Sequence, residues 1–149
     1  DWLKPIWIRV AIIAALLAPA LIADVELHPY QYTYYNQFVG GTGQAAYNFE
    51  TDYWETCYKD AMQQVNQFAS DSHPTVVFVR REGYIAAYYA DKRITVMDGS
   101  QTNKDLSDGE YFLSGSRANQ GIQRYRNNNQ MIVIKRDQAV FCIVEKYSK

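Results

Sequence analysis

Apolar residues run unbroken from Val10 to Ala23, and from Ile6 onward the only charge before Asp24 is Arg9. A run of that length lies near the lower limit for a helix that crosses a bilayer. Arg9 stands where a long side chain reaches back to the interface, and Pro19 removes one backbone bond and predicts a bend. Trp2 and Trp7 on one side, and Tyr30, Tyr32, Tyr34 and Tyr35 beyond the other, are distributed like interfacial aromatic belts. By the positive-inside tendency, Lys4 and Arg9 place the N-terminal end in the cytoplasm and residues 24–149 outside it. Two other readings stand beside the span. One is a secretory signal peptide, since Ala18-Pro19-Ala20 resembles a small-residue cleavage site; a chain that begins with Asp1 and retains the segment argues against it. The other is a core helix, but one apolar on all faces needs more surrounding protein than this chain supplies.

Beyond the anchor, taken as residues 1–23, residues 24–50 form an aromatic connector in which His28-Pro29 disfavours helix and Gly40, Gly41 and Gly43 mark a turn. It is expected to lie as a collar near the membrane surface. Residues 52–68 show helical spacing, with Trp54, Cys57, Tyr58, Ala61, Val65 and Phe68 on one stripe. Asp52 is placed to cap that helix, with Glu55 completing a capping-box pair. Thr75–Val79 reads as a strand buried on both faces. A helix over Gly83–Asp91, strands at Arg93–Asp98 and Glu110–Ser114, and a short helix at Ser116–Arg126 follow. Gln130–Arg136 and Ala139–Tyr147 are strands joined as a hairpin by Asp137-Gln138. This order predicts, for residues 51–149, a small three-layer α/β domain with a mixed sheet of about five strands. The stripe Trp54, Tyr58, Ala61, Val65 and Phe68 is expected to pack on Val77, Val79, Ile94, Val96, Ile132, Ile134, Phe141 and Ile143.

Composition narrows the function. The chain is 48% hydrophobic and 15% aromatic with 13 tyrosines, which suits a globular domain with an amphipathic boundary and excludes a disordered tail. Fifteen Lys and Arg against sixteen Asp and Glu leave a net charge of -1, so the basic excess that a phosphate backbone requires is lacking and nucleic acid is not an expected partner. Cys57 and Cys142 allow one intramolecular disulfide or two buried thiols. Each histidine, His28 and His73, is isolated and followed by proline, so the spacing offers no tetrahedral metal site.

Gly41-Thr42-Gly43-Gln44-Ala45-Ala46 matches the dinucleotide-binding turn in letters, yet the βαβ context that gives that turn meaning does not follow it, and no cofactor is expected. Ser114-Gly115-Ser116 lacks the flanking glycines of a nucleophile elbow. Glu50 and Asp52 are close carboxylates suited to acid–base work or a cation, or, with Asp52 capping, to the start of a helix. If the connector is extended, Tyr30, Tyr32 and Tyr34 share one face, which would pack on lipid, on a neighbouring membrane helix or under the chain's own domain. Tyr30, Tyr32, Tyr34, Glu50 and Asp52 are thus the candidate interface or acceptor-contacting residues. No catalytic residue is identified.

The stretch LHPYQYTYYNQFVGG, followed after a short gap by FETDYWETCYKDAMQQVN, resembles the segment after the last membrane helix of bacterial glycosyltransferases of the family 39 type, related to dolichyl-phosphate-mannose protein mannosyltransferases. The resemblance rests on His28, Pro29, Tyr30, Tyr32, Tyr35, Asn36, Gly40, Gly41, Phe49, Glu50, Asp52, Tyr53, Trp54, Tyr58 and Lys59, about a quarter of the chain. It implies transfer of a sugar from a polyprenyl phosphate outside the cytoplasm, with the catalytic acid in an early loop that has no counterpart here. Cys57 stands where a small hydroxyl residue is expected. The resemblance therefore implies the C-terminal, non-catalytic part of such an enzyme; the alternative is a single-pass accessory subunit of a larger membrane complex. The expected partners are the lipid bilayer, other membrane helices or subunits, and, for a transferase, a polyprenyl-phosphate sugar.

Overall fold

A computed structural model describes residues 5–100, 106–117 and 129–148. The apolar run forms α1, Ile6–Glu26, which continues through Pro19. At 1.5 Å per residue its 21 residues span about 32 Å, close to the thickness of a bilayer's hydrocarbon core. None of them is buried against the rest of the chain, so the core-helix reading fails, and α1 is long and apolar enough to cross a membrane.

The polypeptide then passes through two 3-10 turns, Gln31–Thr33 and Gln37–Val39, and a short helix α2, Gly41–Ala45. The domain consists of α3 (Cys57–Val65, extended by a 3-10 turn to Phe68), β1 (Thr75–Val79), α4 (Gly83–Tyr89), β2 (Ile94–Asp98), β3 (Tyr111–Gly115), β4 (Asn129–Arg136) and β5 (Ala139–Lys146). The strands form one mixed sheet in the order β2-β1-β3-β5-β4. β1 is parallel to β2 and β3, while β5 is antiparallel to β3 and β4. β4 therefore runs in the direction of β3, and the carboxyl ends of β1, β2, β3 and β4 share one edge of the sheet. The β4–β5 connection is tight because Asp137 and Gln138 both take positive φ, as a two-residue hairpin requires.

Tyr58, Ala61 and Val65 of α3 enter one buried cluster with Val77, Val79, Ile94, Leu113, Ile132 and Ile134. Each large side chain fully buried there contributes roughly 1.5–3 kcal/mol. An extra residue in β5 at Phe141 shifts the pairing with β4, and Phe141 joins this cluster beside Cys142 and Val144. Val96 packs against the cluster's margin, and Ile143 is buried on the opposite face. The helix expected over Ser116–Arg126 falls, from residue 118 on, outside the described residues.

Ile143, expected on the face that α3 covers, alternates with Cys142 and Val144 and lies outside that cluster; two further expectations are corrected. Trp54 is 69% exposed and Phe68 45% exposed, so neither packs on the sheet. The cause is the start of the helix: Glu55 has φ 54, a left-handed conformation that breaks helical continuation, and α3 begins only at Cys57. The buried stripe is Cys57, Tyr58, Ala61, Met62 and Val65, to which Trp54 does not belong. The second correction concerns the connector. Gln31–Thr33 is a 3-10 turn rather than an extended segment, so Tyr30, Tyr32 and Tyr34 do not line one surface.

Candidate functional site

Asp52 organises the junction between the connector and α3. Its carboxylate accepts hydrogen bonds from the backbone N–H of Thr56 at 2.9 Å and of Cys57 at 2.8 Å, capping the helix from outside its first turn. The Tyr32 hydroxyl donates to the same carboxylate and lies 3.1 Å from Thr56 Oγ1. The Asp52 N–H donates to Ser116 Oγ, which is also 3.0 Å from Thr51 Oγ1. Burial raises the Asp52 carboxyl above its ordinary range, and the hydrogen bonds from Cys57 and Thr56 oppose that shift.

Glu55 does not complete a capping box. It is 2% exposed, and its Oε2 has no hydrogen-bond partner. It lies against Gly115 so closely that a Cβ on residue 115 would occupy the carboxyl group. Burial is the main cause, and the Asp52 charge a further one, of a Glu55 carboxyl pushed up to about 8, with Arg117 pulling it back. Glu55 is therefore mostly a neutral acid at pH 7. Arg117 stacks 4.2 Å from the centre of the Tyr53 ring and pairs with Glu82 at 3.6 Å. Glu82, with φ 53, is also left-handed. Ser116 and Arg117 leave β3 and Glu82 follows β1, so the cluster sits at the carboxyl edge of adjacent parallel strands, where open α/β sheets place their ligand crevices.

A second group lies under the connector. The Tyr30 hydroxyl donates to Asp60 at 2.7 Å, the Tyr30 ring packs 4.8 Å from Phe141, and Arg136 lies 5.1 Å from the Tyr30 ring centre and 3.6 Å from Asp60. Burial, followed by the Asp60 carboxylate, raises the Tyr30 hydroxyl far above its ordinary value, so it serves as a donor. Tyr30 is completely buried, Tyr32 is half exposed over Asp52, and Tyr34 is exposed. Glu50 is exposed, whereas Asp52 is buried; the Glu50 carbonyl accepts from Tyr35 Oη at 3.1 Å. Gly41-Thr42-Gly43 opens α2 after a 3-10 turn, without the strand a dinucleotide fingerprint needs.

Cys57 and Cys142 are joined by a disulfide across a sequence separation of 85. Donor atoms of Asp52, Cys57 and Cys142 all lie within 4.8 Å of one another. While the sulfurs are bonded to each other they are not thiolates, and the carboxylate is already held by two N–H groups and a hydroxyl, so the arrangement braces α3 to β5 and is no ligand set. The groups that sequence reasoning missed are Glu55, Ser116, Asp60 and Arg136. The sequence marks Glu55 only as a capping partner of Asp52, three residues on; the others are assembled from distant segments. No protein-family model, curated protein or solved structure matches the chain.

Proposed function

We propose that the chain is the terminal membrane span and extracytoplasmic domain of a membrane glycosyltransferase that uses a polyprenyl-phosphate sugar. In this reading it contributes to acceptor or lipid-sugar binding, while the catalytic base belongs to another part of the enzyme. The observation that carries it is that the residues of the family-39-like stretch act as one unit: Tyr30 bonds to Asp60, Tyr32 to Asp52 and Tyr35 to the Glu50 carbonyl, in the segment that follows α1. The disulfide supports the extracytoplasmic side, because such bonds persist in oxidising compartments. A neutral buried acid beside an exposed Tyr53–Trp54 pair suits contact with a polar, largely uncharged ligand.

The test is the open reading frame that contains this sequence. Further apolar spans encoded upstream are the expected result; a gene that starts just before Asp1 overturns the reading. The second reading is a single-pass accessory subunit, for which the exposed aromatic residues Tyr47, Phe49 and Trp54 suit an interface with a partner. It predicts a stoichiometric partner on purification from native membranes in mild detergent, and migration as a lone monomer counts against it.

A further inference from the structure

Residues 27–49 contain no Asp, Glu, Lys or Arg, in a chain of which 21% of residues are charged. A water-facing surface of that length carries about five charges or more. Yet most of this segment is on the outside: Phe38 is fully exposed, and Tyr34, Val39, Tyr47 and Phe49 are exposed as well. Phe38 and Val39 form the tip of a well-braced turn. The Asn36 side chain accepts from the Phe38 N–H at 3.0 Å, the Gly41 N–H donates to the Asn36 carbonyl at 3.1 Å, and Gly40 turns the chain with φ 84. A fully exposed phenylalanine on a fixed turn, with no charge around it in sequence, is a surface built to leave water.

The position of that tip relative to α1 follows from the β4–β5 hairpin. Arg136 donates from Nε to the His28 carbonyl, two residues past the end of α1, at 3.3 Å. The next residue, Asp137, accepts from the Gly43 N–H at 3.4 Å, and its carboxylate also lies beside Gly41. Adjacent residues of one turn thus hold the foot of α1 and the segment just after the Phe38–Val39 tip. The end of the apolar helix and the tip share one pole of the domain.

We propose that the Phe38–Val39 tip, with Tyr34, Tyr47 and Phe49, rests in the headgroup layer of the bilayer that α1 crosses. The proposal depends on α1 being a membrane span. The occupant is lipid because the hairpin turn ties the root of the tip to the end of α1, and because uncharged aromatic-rich segments next to a span suit the interface, where rings are buried and hydroxyls stay wet. The domain is then held to the membrane at two points, the end of α1 and the tip, and its carboxyl sheet edge has a fixed height above the bilayer.

The full chain, reconstituted into phosphatidylcholine–phosphatidylglycerol nanodiscs, tests this with a nitroxide attached at Leu16→Cys, Phe38→Cys or Lys92→Cys; the native cysteines are bonded to each other and do not compete. Accessibility to oxygen is compared with accessibility to a water-soluble nickel chelate. The expected result is a deep label at position 16, an aqueous one at 92, and a label at 38 that is shielded from nickel and open to oxygen, between the two. A label at 38 as open to nickel as that at 92, with 16 still deep, overturns the proposal alone. Low accessibility of 38 to both reagents overturns it in favour of contact between copies of the chain. An aqueous label at 16 overturns the span reading and this proposal with it.

Discussion

Replacing Glu55 with Gln keeps the shape of the side chain and removes its titration. In the native protein the Glu55 carboxyl is held at about 8 against an ordinary value of 4.5. Because the folded-state value is raised, the folded state favours the protonated acid. The associated stability is fully present below the ordinary carboxyl value and is lost as pH rises through about 8. At 1.36 kcal/mol per unit, the loss between pH 5 and pH 9 is about 4 kcal/mol, most of it above pH 6. Glu55→Gln has no such loss, so its stability relative to wild type should rise by about 4 kcal/mol over that interval and exceed wild type at pH 9. The measurement is urea unfolding of the full chain in detergent with the disulfide intact, followed by tyrosine circular dichroism at several pH values. Asp52, whose carboxyl is also raised by burial, titrates in both proteins, and comparing the two curves largely removes its contribution. Two stability–pH profiles that run parallel would refute the assignment of Glu55 as a buried neutral acid.

Two further outcomes follow from the same geometry. Gly115→Ala places a methyl group in the space of the Glu55 carboxyl and should cost roughly 1–3 kcal/mol; adding Glu55→Ala should recover part of that loss, and strictly additive urea midpoints would show that the two positions do not meet. Removing the disulfide with Cys57→Ala and Cys142→Ala opens a closed loop of 85 residues' separation, for which chain entropy gives an upper value of about 4.6 kcal/mol; a melting temperature unchanged in the paired variant would show that the bond does not constrain the unfolded chain.

The strands were legible because their signals are local. Thr75–Val79 is a continuous β-branched and aromatic run, and the hairpin is announced by two apolar segments around Asp137-Gln138. The order β2-β1-β3-β5-β4 depends on long-range pairing and has no local signature. The start of α3 was misread for a definable reason: Trp54 continues the spacing of Tyr58, Ala61 and Val65, and periodicity alone does not register that Glu55 turns left-handed. The site was harder still. Glu55 reads in sequence as a capping partner at a helix start, yet Gly115, 60 positions later, makes the space that buries it. Tyr30, Asp60 and Arg136 come from the connector, α3 and the end of β4, and only the folded sheet brings them together.

The direction of the strands connects these observations to function. Ser116 and Arg117 follow β3, Glu82 follows β1, and Arg136 ends β4, so Glu55, its neighbours and the Tyr30 group all lie toward the carboxyl edge of strands that run the same way. The hairpin turn that closes this edge is also the one that holds His28 and Gly43, the foot of α1 and the root of the aromatic tip. The edge where an α/β sheet offers its crevice is therefore the edge on the α1 side of the domain. A ligand whose sugar stands on a lipid phosphate is confined to the bilayer surface, and under the proposed reading it meets this edge by lateral diffusion, with Trp54 and Tyr53 exposed beside the neutral Glu55 acid. Under that reading the domain contributes by holding this edge, with Glu55, Tyr53 and Trp54, beside the membrane surface, while the catalytic base belongs to another part of the enzyme.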